Sequence, residues 1–348
     1  MLEYSAASYS YAGKSATMIT IFASWVFVAA LFFTISNGQC PNEVALYNYN
    51  LRTASANNTW FLVPVPKQAV QSALDTTYGT GLVTLTDLPA NDASLFPRGF
   101  DSTTHHPVLV SAMYQDDIRM GAAKIQGPLL GGGLNVPYVR RAGISKPGTV
   151  LKAPLSIYIS GANGNPVAGL VPATASTLLE GFFLRLGLFI PNNVAFQRND
   201  NNILSNTAAW LVASNPVSGP GYAPTAYDFQ FTEQASFSLY TAKLFKSVIN
   251  QASILSGPDF IANLCQRNQY YFNNDTSTMM PVTGNVTFGP AADGLGVQMQ
   301  STMQKATSDG SGLYLGNEGF TGCGQNVGFN PENCDAAAAN VDQSALRE

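Results

Sequence analysis

The stretch that decides the fold is NTWFLVPVPKQAVQSAL, residues 58–74, where a β-rich run passes directly into a helical pattern. Aromatic and β-branched residues fill the first half, and two prolines interrupt it. In the second half apolar residues recur at helical spacing, at Val70, Ala73 and Leu74. Gly79 then ends the pattern, as glycine commonly does after a helix. The stretch therefore predicts a strand followed by a short amphipathic helix.

Further stretches on both sides show the alternation or the β-branched and aromatic content of strands. They are residues 80–89, 106–115, 136–141, 152–160, 208–216 and 226–240. Two stretches fit helices, residues 172–190 with Pro172 in the first turn, and residues 241–255 with Leu244, Val248 and Ile249 facing inward. Strands outnumber helices, so we expect a mainly β (α+β) fold, an antiparallel closed β-barrel or sandwich with a few peripheral helices.

An uncharged apolar run, Met18–Ser36, follows Lys14 near the start of the chain. Small residues at Ser36 and Gly38 have the spacing of a signal-peptidase site, which indicates a secretory signal. The run is also long enough to stay in a bilayer as an anchor, and Met18 is itself a possible start. We expect a secreted protein, with no stable membrane association unless this leader is retained.

Sequons and cysteines agree with the secretory pathway. The predicted glycosylation sites are Asn57, Asn274 and Asn285. The cysteines are even in number and contain no CxxC, which favours two disulfides over a zinc site; they are Cys40, Cys265, Cys323 and Cys334. Three pairings are possible. We favour the short loop Cys323–Cys334, which leaves Cys40 to Cys265.

The domain organisation follows from these features. Residues 1–39 are predicted to form the signal peptide and polar leader, and residues 40–288 the barrel domain. From 289 the composition shifts to Gly, Asp, Asn, Ser and Ala, which predicts a loosely ordered tail, 289–348, with a disulfide loop.

The sequence lacks the motifs and charge patterns of several functional classes. The net charge is −4 and no Lys/Arg run occurs, so we expect no nucleic-acid partner. A nucleophile elbow and a phosphate-binding loop are both missing from the sequence. We therefore predict no cofactor, and no metal because ligand spacing is absent.

A dense polar patch surrounds the strand at 106–115. His105 and His106 are adjacent, so on a strand their rings point to opposite faces and do not easily share one site. Asp116 and Asp117, with Arg119, can provide a general base oriented by a cation. The alternative is a turn with a local ion pair that ends the strand.

A second candidate set would bind the substrate. Arg140 or Arg141 can clamp a carboxylate bidentately, although only one of two adjacent strand residues points inward. Tyr138 and Tyr114 complete this set. A surface position for the arginines is the alternative.

The order of these elements resembles the acetoacetate decarboxylase-like superfamily, in a secreted form associated with filamentous fungi. The resemblance covers residues 58–256: a strand and short helix, two strands, and a strand running into a turn at Asn165-Pro166. It implies a closed barrel around a small apolar cavity, and a lysine that forms a Schiff base with a keto substrate. The corresponding stretch, residues 165–181, holds Glu180 but no lysine. The family's lysine therefore cannot be carried over, and Lys152 is the possible substitute.

We thus expect a secreted glycoprotein whose barrel binds a small keto or carboxylic molecule of secondary metabolism, with a lyase or isomerase activity. The alternative is a non-enzymatic extracellular ligand carrier or cell-surface protein. Two or more ionisable side chains with shifted pKa in the cavity favour the enzyme, and a purely apolar lining favours the carrier.

Overall fold

A computed structural model describes residues 41–98, 100–125, 127–175, 182–212, 214, 221–255, 263–272, 278–293 and 300–347. The leader, Cys40, Asn274 and Glu180 lie outside the described residues, so the predictions on them stay predictions. Within these ranges no helix is long and apolar enough to cross a membrane.

Strands are the predominant secondary structure of the described chain. Their bounds are β1 Arg52–Pro66, β2 Val83–Leu85, β3 His105–Met120, β4 Ala123–Lys124, β5 Leu129–Arg141, β6 Leu151–Gly161, β7 Arg185–Ile190, β8 Gln197–Arg198, β9 Leu204–Trp210, β10 Thr225–Glu233, β11 Ala252–Ile254, β12 Leu264–Gln266, β13 Asn268–Tyr271, β14 Met280–Phe288, β15 Leu313–Gly328 and β16 Glu332–Asn333.

The helices are short. They are α1 Lys67–Tyr78, α2 Ala90–Ala93, α3 Leu170–Ala175, α4 Ala242–Ile249, α5 Thr302–Lys305 and α6 Cys334–Ala339, with 3-10 turns at Glu43–Leu46, Pro166–Gly169 and Gln343–Leu346. β1 passes directly into α1, as residues 58–74 predict, and the predicted apolar face of α1 is buried. The inward face predicted for α4 is likewise buried.

Nine strands close into a ring in the order β1-β3-β5-β6-β7-β9-β10-β14-β15, and β15 pairs back with β1. Each neighbouring pair in this ring is antiparallel except β6 and β7, which are parallel. The parallel step requires a crossover, and α3 lies in that connection. The predicted closed β-barrel is confirmed.

The barrel interior is filled by aromatic side chains from opposite walls. Phe61 of β1 lies 5.0 Å from Phe229 and 5.6 Å from Phe231 of β10, ring centroid to centroid. Two strands separate β1 from β10 around the ring, so these contacts cross the interior. A Cβ on Gly132 of β5 would lie 2.0 Å from the phenol oxygen of Tyr227 on β10, so only glycine fits there. The interior is a packed core.

The prediction of a helix over 172–190 is wrong for its last third. Residues 185–190 form β7, whose side chains alternate between buried and less buried positions. That alternation has the period of two that a strand requires, and pairing with β6 and β9 outweighs the local helical pattern.

The predicted loose tail is also wrong, because residues 313–328 form β15, a barrel strand between β14 and β1. Its glycines permit close packing and do not loosen the chain. A Cβ on Gly319 would lie 2.2 Å from the carbonyl oxygen of Trp60. Composition alone cannot distinguish a close-packed glycine from a flexible one.

The favoured disulfide pairing is wrong as well. Cys265 is bonded to Cys334, with 4.7 Å between their Cα atoms. β12 pairs antiparallel with β16, which brings the two residues together. Cys323 is also disulfide-bonded, and its partner lies outside the described residues. It occupies the middle of β15, whose extended backbone carries it away from Cys334.

Candidate functional site

A cavity of about 530 Å³ lies against the outer face of the barrel. On β3, Val110 and Ala112 point into the core, whereas Ser111 and Met113 line the cavity. This alternation places the cavity outside the barrel wall. The small apolar cavity that the resemblance implies for the interior is replaced there by packed side chains.

Glycines of β5 provide the floor of the cavity. Gly131 and Gly133 line it, so no side chain projects from this part of the wall. A Cβ on Gly131 would meet only the flexible side chain of Met113, at 3.1 Å. The opposite side is formed by residues of β12 and β13 and by residues 328–331. Of the GGG run, Gly131 therefore leaves open space, whereas a Cβ on Gly133 would lie 2.4 Å from the carbonyl oxygen of Ser156.

Lys152 of β6 is the buried cation of the cavity. Its neighbours Leu151 and Ala153 point into the core, so the lysine points outward toward the cavity and is only 5% exposed. Its Nζ donates to the carbonyl oxygen of Ile249, at the C-terminal end of α4. Burial nevertheless lowers the pKa of Lys152 to about 7. Near neutral pH a large share of Lys152 therefore carries an uncharged, nucleophilic amine.

Every charged side chain among the described residues that line the cavity is a cation. Lys152 lies at the buried end, and Arg52, Arg119 and Lys124 are the others. The guanidinium of Arg52 donates to the Oδ1 of Asn268 over 2.7 Å. A cavity with this lining favours a ligand that carries negative charge or hydrogen-bond acceptors.

Two aromatic residues close one side of the cavity. Trp60 and Tyr270 both line it, and their rings meet edge to face with centroids 5.5 Å apart. Burial raises the pKa of Tyr270 to about 12. The rings give the cavity rigid apolar surface, and Tyr270 stays protonated at neutral pH.

The predicted catalytic residues brace a hairpin at the exposed end of the cavity. Asp117 accepts from Arg119 at 2.7 Å and Lys124 at 2.8 Å, which ties β3 to β4. Partial burial opposes ionisation, but these two cations hold the pKa of Asp117 below its usual range. Asp116 accepts from the backbone N–H of Asp117. This geometry matches the alternative of a local ion pair, and a catalytic role for the three residues stays a prediction.

The predicted substrate-binding residues do not line this cavity. Arg140 is exposed and donates to Thr84, whereas Arg141 is buried beside Tyr78. Tyr138 is buried, and its hydroxyl donates to Asp92 over 2.9 Å. Tyr114 packs against the barrel core. The role of these four residues in binding therefore stays a prediction.

The histidines lie at a second, smaller pocket of about 160 Å³. Both contribute to its lining, although they are adjacent on the strand. His106 is buried, with its Nε2 2.7 Å from the carbonyl oxygen of Pro137, and burial lowers its pKa to about 4. The neutral ring therefore donates to Pro137. His105 is partly exposed and contacts Thr104.

The residue patterns do not point to Arg52, Trp60 or Asn268, and they offer Lys152 only as a possible substitute for the family's lysine. One signal was present: Lys152 is a charged residue within a strand, and the residues on both sides of it along that strand are buried. A charge at such a position must find a partner or shift its pKa. The GGG run beside it was the second signal.

No protein-family model and no curated protein sequence matches the chain. Solved structures do. The enduracididine biosynthesis enzyme MppR, complexed with the condensation product of pyruvate and imidazole 4-carboxaldehyde, has 9% identity and a TM-score of 0.45, over 82% of this chain and 89% of that chain. An acetoacetate decarboxylase has 13% identity and a TM-score of 0.42, over 80% of this chain and 88% of that one.

An acetoacetate decarboxylase-like enzyme from Sphingomonas wittichii RW1 is similar at 8% identity and a TM-score of 0.38, over 82% of this chain and 93% of its own. Two of these three structures bear the name of the superfamily that the sequence resembles. At such identities and TM-scores they carry no argument about the reaction of this chain, and the fold rests on the strand order.

Proposed function

We propose that this protein is a lyase-type enzyme that binds a carbonyl compound in the outer cavity and reacts with it through Lys152. The observation that carries the proposal is a lysine with a pKa of about 7, buried at the inner end of a cavity of about 530 Å³. An uncharged amine adds to a ketone or aldehyde, and loss of water yields an imine. The imine then withdraws electrons from the adjacent carbon, which favours loss of CO₂ or of a proton.

Burial alone accounts for the reactive, uncharged form of the Lys152 amine. The pKa of Lys152 falls because its ammonium form loses water, and the Ile249 carbonyl does not compensate fully. Two ionisable residues with shifted pKa, Lys152 and Tyr270, line the cavity. This is the feature that favours an enzyme over a carrier.

The test is reductive trapping. The protein is incubated with pyruvate, acetoacetate or phenylpyruvate and with sodium cyanoborohydride, and intact mass and peptide maps are recorded. We expect a single adduct on Lys152, with half-maximal yield near pH 7. Lys152→Met should abolish it. Lys246→Met is the matched control, since Lys246 is also 5% exposed but does not line the cavity. Adducts spread over surface lysines, or an unchanged yield in Lys152→Met, would contradict the proposal. Binding without any adduct would favour a carrier.

We also propose that the protein is secreted and glycosylated. The Cys265–Cys334 disulfide supports an oxidising compartment. Asn285 lies half-buried on β14 and Asn57 half-buried within β1. Expression in a eukaryotic secretory host, followed by glycosidase treatment and peptide mapping, tests both statements. Recovery of unmodified protein only inside the cell would contradict them.

A further inference from the structure

The outer cavity follows the strands over a considerable length. On β6 it is lined from Lys152 to Ile159, a distance of about 23 Å at 3.3 Å per residue. A volume of about 530 Å³ spread over that length makes the cavity several times longer than it is wide. This shape favours an extended ligand over a compact one.

The polarity of the cavity is divided along this length. Apolar side chains line its middle, among them Met113, Ile157 and Leu184. The closed end holds Lys152. The open end holds Arg119 and Lys124, whose side chains are 45% and 54% exposed. These two cations share one carboxylate, Asp117, and their exposed side chains remain accessible to a second acid group.

We infer that the ligand of this cavity is an elongated amphipathic acid, with a carboxylate at the Arg119–Lys124 end and an apolar chain that extends toward Lys152. The inference rests on the proposed function only for the reactive carbonyl, which would lie at the end of the chain beside Lys152. Binding of the chain and of the acid does not depend on that reaction. Such a ligand carries its acid group far from its carbonyl, and the short oxo acids used for trapping would occupy only the end of the cavity at Lys152.

The geometry of β5 supports a chain over a compact ligand. Gly131 removes a side chain from the floor along the middle of the cavity, where a chain would pass. This position does not need glycine for a left-handed backbone, since it lies within a regular strand. A Cβ on Gly131 would contact the Met113 side chain, which can move aside.

The first experiment measures binding to Lys152→Met, so that no covalent step contributes. Saturated monocarboxylic acids from four to sixteen carbons are titrated while Trp60 fluorescence is followed, and Trp60→Phe identifies the signal. We expect Kd to tighten about fourfold per methylene until the chain fills the cavity. Primary alcohols of equal length should bind about tenfold more weakly. A Kd that is independent of chain length, or equal for acids and alcohols, would overturn the inference.

Two variants localise the ligand. Lys124→Gln should weaken the binding of acids several-fold and leave the binding of alcohols unchanged. Lys305→Gln, at an exposed lysine of α5, should change the affinity for neither class. Gly131→Val should weaken the binding of long acids more than tenfold and change the binding of butanoate little. Circular dichroism checks that the variant is folded. If Lys124→Gln changes the Kd of acids and of alcohols equally, the carboxylate of the ligand does not bind at the open end. If reductive trapping fails but Kd depends on chain length as expected, the ligand class stands and the enzymatic proposal falls. If trapping succeeds but Kd does not depend on chain length, the enzymatic proposal stands and the ligand class falls.

Discussion

Replacing Lys152 by methionine should stabilise the protein at neutral pH, an unusual result for a change at a candidate active site. Lys152 is 5% exposed, and its ammonium form loses its hydration on folding. Methionine has a similar length and no charge, so it fits the same space. The variant therefore removes a cost of folding and keeps most of the packing.

The magnitude follows from the pKa. Burial lowers the pKa of Lys152 from 10.5 to about 7. At 1.36 kcal/mol for each unit, the buried lysine costs the fold about 5 kcal/mol at and below pH 7. The hydrogen bond from Lys152 to Ile249 stabilises the fold by about 1 kcal/mol, and the methionine variant lacks this bond. We expect Lys152→Met to raise the free energy of unfolding at neutral pH by about 4 kcal/mol.

The sign of the pH dependence is fixed by which state binds the proton. Between pH 7 and 10.5 the unfolded chain holds a proton on Lys152 that the folded chain lacks. The wild type therefore loses stability as pH falls through this window, by about 1.4 kcal/mol per unit, and reaches its full cost below pH 7. The advantage of Lys152→Met should accordingly be largest below pH 7 and vanish near pH 10.5.

Urea unfolding at pH 6, 7, 8, 9 and 10 measures this difference, with circular dichroism as the signal. Lys305→Met, at an exposed lysine, provides the baseline for removing one positive charge. A difference between wild type and Lys152→Met that is constant from pH 6 to pH 10 would refute the reasoning. It would mean that Lys152 keeps its ordinary pKa in the folded protein and that its amine is not activated.

Three further predictions test the frame of the site. Replacing Cys265 and Cys334 by serine should lower the free energy of unfolding by about 4 kcal/mol, because the bond closes a loop of 69 residues; calorimetry measures this, and an unchanged melting temperature would contradict the pairing. Gly132→Ala should prevent folding or cost more than about 3 kcal/mol, whereas Gly131→Ala should be tolerated, as urea titrations would show. Burial lowers the pKa of His106 to about 4, so the wild type should lose about 3 kcal/mol as pH falls from 6.5 to 4, and His106→Gln should lose less over that range.

Local patterns were sufficient where a segment's own periodicity decides its structure. The passage from β1 into α1 and the buried faces of α1 and α4 were predicted because apolar spacing and helix-ending residues act within a few positions. The same reasoning failed for residues 185–190 and for β15. Their structure depends on strands that are distant in sequence, and composition does not record such pairing.

Residue patterns alone indicate a mainly β chain, a likeness to a barrel superfamily, and the absence of that family's lysine from residues 165–181. Only the tertiary structure decided that Lys152 is buried, that the cavity lies outside the barrel wall, and that Cys265 pairs with Cys334. The physical reason is the same in each case. A side chain's solvation, and the groups that surround it, depend on ring closure between strands far apart in the chain, and no window of neighbouring residues contains that information.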